Sequence, residues 1–102
     1  DALAPQPGDL VVEHGRISAF CGNDLEMILT GRRIDTVVVT GMATNVAVDH
    51  TVRDAVQKGY TTLLLEDCCC SSDDRFHEAA LLTLRALASD VLLTDTFVAA
   101  LP

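Results

Sequence analysis

The chain has 102 residues, 49% of them apolar, and its 7 lysines and arginines face 15 aspartates and glutamates, for a formal net charge of −8. That length and apolar content suit one small packed domain, or part of one, and exclude a disordered chain. So acidic a chain lacks the cationic surface on which nucleic-acid binding depends, no apolar run approaches the roughly 20 residues that span a bilayer, and the first residues carry no basic-then-apolar leader. The expectation is a soluble, cytoplasmic protein.

Four cysteines, Cys21 and the run Cys68-Cys69-Cys70, have neither the paired spacing of a zinc site nor the dispersion of a secreted disulfide framework. They read as reduced thiols. No metal and no cofactor is expected.

In chain order, Pro5 and Pro7 keep the first residues extended, leading to a short predicted strand at Leu10–Glu13. His14-Gly15-Arg16 turns the chain. Asn23 is placed to cap a helix over Asp24–Arg32, with Leu25, Ile28 and Leu29 on one face and Asp24 and Glu26 near its positive end. Thr36–Thr40 is predicted as a strand too apolar to be one-sided, which suggests a parallel sheet covered on both faces. Gly41 then turns the chain into a second helix, capped by Thr44. Val48, Val52, Ala55 and Val56 form its stripe, and Asp49 and Arg53 make an outward ion pair.

Gly59 ends that helix, and Thr61–Glu66 is the next strand. A third helix, capped by Ser72 or Asp73, presents Phe76, Ala80, Leu84 and Leu87; Val91–Thr94 is the last strand, and Thr96–Leu101 a short final turn. Strand–helix alternation implies right-handed crossovers, a parallel sheet and a three-layer α/β/α, Rossmann-like fold. Ligands collect outside the carboxyl ends of such strands, so the junction after Thr40 is the place to look for chemistry.

That junction, Gly41-Met42-Ala43-Thr44-Asn45-Val46-Ala47-Val48 followed by Thr51, Arg53, Asp54 and Ala55, resembles the segment of isochorismatase-like hydrolases that usually reads Gly-(Val/Ile)-Ala-Thr-(Asn/Asp)-Val-Cys-Val. The family includes nicotinamidases, carbamoylsarcosine amidases and isochorismatase. The likeness extends from Pro7-Gly8-Asp9-Leu10-Val11-Val12 and Ser18-Ala19-Phe20 through Asp24-Leu25-Glu26 and Glu66-Asp67 to His77-Glu78-Ala79-Ala80. It implies that residues 1–102 are the C-terminal part of a single such domain, with Asp1 near its middle. The N-terminal strands, one bearing the family's catalytic aspartate, have no counterpart in this span.

The resemblance also assigns a site. The turn through Met42, Ala43 and Thr44 places backbone N–H groups at a helix start, where free donors and the helix dipole favour developing negative charge, as in an oxyanion hole. In the related enzymes the peptide matching Met42-Ala43 is cis. The nucleophile position is Ala47, where a cysteine would have its pKa lowered by the dipole; alanine can attack nothing. Either the chain belongs to the cysteine-free branch that isochorismatase represents, or the nucleophile has been substituted. The family lysine falls six residues before Phe20, on His14, which can shuttle a proton near neutral pH. The alternative for His14 is a solvated side chain at a strand end. Arg16 is expected to be solvated, His50 solvated or at a subunit contact, and His77-Glu78 a packing and capping signature. Asp67 and Cys68–Cys70 follow a strand end, where a displaced thiol nucleophile would sit, although cysteine more often packs as a small hydrophobe.

Three functions compete: a cysteine-independent hydrolase of a small molecule, an amidohydrolase with its nucleophile substituted, and a non-catalytic relative kept for binding or assembly. The strand ending at Gly41 would leave an unpaired apolar edge, so the chain is expected to be a homo-oligomer or to pair with a chain supplying the missing strands.

Overall fold

The computed structural model describes residues 2–102. Its regular elements are α1 (Leu25–Gly31), β1 (Thr36–Met42), a π-helical turn (Thr44–Val48) running straight into α2 (Asp49–Gln57), β2 (Thr61–Cys70), α3 (Asp74–Leu87), β3 (Asp90–Leu92) and α4 (Thr94–Ala99). The strands form one parallel sheet in the order β1-β2-β3. This is the α/β class expected from the alternation of elements.

Register explains where the core lies. Val39 pairs with Leu64, and Leu64 with Val91, so the three share one face of the sheet. Val48 and Val52 from the second helical segment and Leu81 and Leu84 from α3 close over that face; Val52, Leu64 and Leu84 are fully buried. At roughly 1.5–3 kcal/mol per buried aliphatic side chain, this cluster supplies much of the driving force for folding.

Local signals set the helix ends. Gly59, at φ +88°, lets α2 stop in a Schellman turn, with Tyr60 N–H donating to the Ala55 carbonyl and Gly59 N–H to that of Val56. Asp73 caps α3 by accepting the Arg75 N–H at 2.8 Å. The outward pair Asp49–Arg53 forms at 2.9 Å.

Several expectations change. Leu10–Glu13 is not a strand: no neighbouring chain pairs with it among the described residues, and Leu10 and Val11 are exposed. The α1 helix is one residue shorter at each end than predicted, with the Asn23 side chain accepting the Leu25 N–H. Strand β2 runs on through the cysteine run to Cys70, because Cys69 and Cys70 find register partners in Gly41 and Met42. The last strand is Asp90–Leu92 rather than Val91–Thr94, since Thr94 already begins α4. On α3 the buried stripe is Ala80, Leu81 and Leu84, whereas Phe76 and Leu87 are exposed. The strand Thr36–Thr40 is covered on one face within this chain, with Val39 buried and Val38 on the other face exposed.

Candidate active site

At the carboxyl end of β1 the chain passes through Gly41, at φ +126°, and a cis Met42–Ala43 peptide into the π-helical turn. Ala43, in extended conformation, is the residue that caps this turn; Thr44, predicted as the cap, is instead its first member and is fully buried. The correction has a chemical reason: the Thr44 hydroxyl is spent on His77 of α3, with Oγ1 and Nδ1 2.7 Å apart. The Ala43 carbonyl accepts both the Val46 N–H at 3.0 Å and, five residues on, the Val48 N–H at 3.2 Å, which winds this turn more widely than an α-helix. Two more side chains hold it. Ser71, just beyond β2, donates to Asn45 Oδ1 at 2.9 Å, and the His50 ring donates through Nδ1 to the Val46 carbonyl at 2.7 Å.

His14 reaches the same place from the N-terminal arm. It lines a concavity of about 170 Å³ together with Ala19, Gly41, Met42, Ala47 and Thr51. The arm is fixed there: Ala19 N–H donates to Thr51 Oγ1 at 3.0 Å, and Phe20 stacks on Tyr60 with ring centroids 5.8 Å apart. His14 Nδ1 lies 2.6 Å from the Arg16 carbonyl oxygen. A carbonyl only accepts, so Nδ1 carries the proton and Nε2 of the neutral ring keeps a lone pair. The structure thus brings His14, Met42 and Ala47 to one concavity. Ala43 stands beside it as the cap, and Thr44 has only its backbone to offer. Arg16 is exposed.

The end of β2 is organised differently. Asp67 accepts both the backbone N–H and the hydroxyl of Thr94, at 2.9 and 2.8 Å, anchoring the start of α4. The Thr94 hydroxyl beside it holds the Asp67 carboxyl below the usual range. Cys68 Sγ lies 2.9 Å from Thr94 Oγ1, and Cys69 donates to the Leu65 carbonyl at 3.3 Å. Burial pushes the Cys69 thiol up to about 11, so it stays protonated at neutral pH and is a poor nucleophile. None of the three cysteines lines the concavity that holds Ala47. Among the described residues no cluster of histidine, cysteine or carboxylate side chains could hold a metal ion.

Sequence reasoning missed His77 and Ser71 as parts of this region. Thr44 and His77 are 33 residues apart, and no local pattern links them. Only parallel topology could have, because it puts the end of β1 and the start of α3 at the same end of the sheet.

Comparison with known proteins places these features. Residues 1–96 match the Isochorismatase domain family. N-carbamoylsarcosine amidase of an Arthrobacter species is 47% identical over 64 residues, 63% of this chain and 24% of that enzyme. Ureidoacrylate amidohydrolase RutB of Azorhizobium caulinodans is 48% identical over 67 residues, 66% of this chain and 30% of that one. The crystal structure of an isochorismatase-like hydrolase from Alkaliphilus metalliredigens superposes with a TM-score of 0.93 at 36% identity, covering 96% of this chain and 53% of the other. The chain therefore spans about half or less of the length of the relatives it matches. With its sheet, its turn after β1 and nearly all its residues aligned, the chain belongs to the Isochorismatase domain family.

Proposed function

We propose that this chain forms one half of a hydrolase site for a small-molecule substrate, with water and not a thiol as the nucleophile. The observation that carries the reading is the meeting of His14, Met42 and Ala47 at one concavity, at the start of a continuous helical segment. Helix-start N–H groups there would stabilise an anion developing on the substrate, and His14 Nε2 is the group able to take a proton from attacking water. Ala47 leaves room where a nucleophilic side chain would stand. A vinyl ether suits such a site if His14 in its protonated form first gives the Nε2 proton to the substrate's carbon and the neutral ring then takes one from the water that adds to the resulting cation.

A second reading is favoured by the relatives' names. An amidase and an amidohydrolase at 47% and 48% identity support an amide substrate, with Ala47 a substituted nucleophile. A third, non-catalytic reading would keep the fold for binding or assembly. We also place the protein in the cytoplasm, in keeping with its unpaired cysteines, and expect an additional strand along the free edge of β1, from a second copy or another polypeptide segment. No helix among the described residues is long and apolar enough to cross a membrane.

The test is hydrolysis of a panel of small vinyl ethers and amides by the protein and by its Ala47→Cys variant. Turnover by the unaltered protein that survives thiol alkylation supports the first reading. Amide turnover that appears only with Ala47→Cys supports the second, and none from either protein supports the third.

A further inference from the structure

We propose that His77 is a positioning residue for the turn that carries Ala47, acting through Thr44. The inference rests on the hydrolase reading for its importance, but not for its geometry. Thr44 is fully buried, and His77 Nδ1 is the partner of its hydroxyl, at 2.7 Å. Without that partner a buried hydroxyl would be stranded, which costs about 1–3 kcal/mol. The cheapest relief would be for the first residue of the turn to rotate its side chain out. Thr44 is adjacent to the cap residue Ala43 and three residues before Ala47, so such a rotation would re-aim the N–H groups of the whole turn.

The other tethers cannot replace this one. Ser71 on Asn45 and His50 on Val46 are both exposed hydrogen bonds, where water competes for each partner. Of these three tethers only the Thr44–His77 pair is drawn in from solvent, and His77 stands one helical turn before the buried Ala80 and Leu81 on the same face of α3.

The experiment installs a reporter with Ala47→Cys and follows alkylation of that introduced thiol against pH, resolved from Cys21, Cys68, Cys69 and Cys70 by peptide mass mapping. In this background His77→Ala is expected to move the midpoint of the profile upward, because the turn no longer aims its N–H groups at the sulfur. His77→Asn, whose amide can occupy the Nδ1 position, should return it. Thr44→Val added to His77→Ala keeps the buried volume and leaves no hydroxyl to strand, so it should bring the midpoint back toward its starting value. Amide hydrogen exchange supplies the second readout: Asn45–Val48 should exchange on the order of ten-fold faster in His77→Ala, with Val52, Leu64 and Leu84 unchanged. A midpoint unmoved in His77→Ala, a shift that persists when Thr44→Val is added, or equal acceleration across turn and core would overturn the proposal. Neither readout uses a substrate, so a protein that hydrolyses nothing would defeat the hydrolase reading and leave this result standing.

Discussion

Val38 and Val39 are neighbours in β1, yet Val39 is 8% exposed beneath α2 and α3 while Val38 is 40% exposed. The outer edge of the strand, beside Val38, faces a groove of about 300 Å³ lined by Phe20, Leu25 and Leu29, and it pairs with no strand among the described residues. At the end of β2, beyond a shift in register, Cys69 packs against the core and Cys68 and Cys70 are exposed. The face bearing Val39 is covered by the chain's own helices, the opposite face is covered at Leu65 but not at Val38, and the outer edge of β1 offers backbone donors and acceptors to something else. The concavity of Ala47 and His14 shares Ala19, Val39, Thr40 and Thr51 with that groove, so the site adjoins the open edge.

The comparison breaks most visibly on the covered face. Leu84→Ala should cost about 2–5 kcal/mol by urea denaturation, the range for emptying a fully buried leucine site. A loss below about 1 kcal/mol would mean that the α3 face does not hold the fold. The contrast between cysteines comes next. Because burial keeps the Cys69 thiol protonated, iodoacetamide near pH 8 should label Cys69 at least about ten-fold more slowly than Cys68 or Cys70, read by mass mapping.

On the open side, Val38→Lys should leave unfolding free energy within about 0.5 kcal/mol, as for surface positions generally. It should weaken any association along the edge of β1, read from the concentration dependence of light scattering, since a lysine opposes strand pairing there. The smallest effect is the acid response of α4. The Asp67 carboxyl sits below its ordinary 3.8, so its contribution is complete above that value and is lost as pH falls through the lower folded value. Exchange at the Thr94 amide should therefore lose protection in acid, and Asp67→Asn should abolish that pH dependence.

Much of the fold was legible in the residues. The apolar run Thr36–Thr40, the stripe Val48, Val52 and Ala55, and Gly59 after it encode one strand–helix–turn unit through local pattern alone. Leu10–Glu13 was misread because apolar alternation signals a strand only if a partner is present to pair with it. Thr44 looked like a cap because capping is local chemistry, whereas its real partner, His77, arrives from another helix. The stripe on α3 was shifted for a related reason: Phe76 and Leu87 are as apolar as Leu81, and only the position of the sheet decides which of them is buried. For the site, Met42, Ala43 and Ala47 could be found from the strand-to-helix junction, but the meeting of His14 with them depends on how the arm docks through Ala19 and Phe20.

The central claim is that the outer edge of β1 waits for a strand. Light scattering on the purified 102-residue chain tests it most directly. The account predicts self-associated species at micromolar concentration, or a monomer only once an added strand covers the edge of β1. A monodisperse monomer of 10.9 kDa with a cooperative melt would contradict it, by showing that the chain is stable with that edge unpaired.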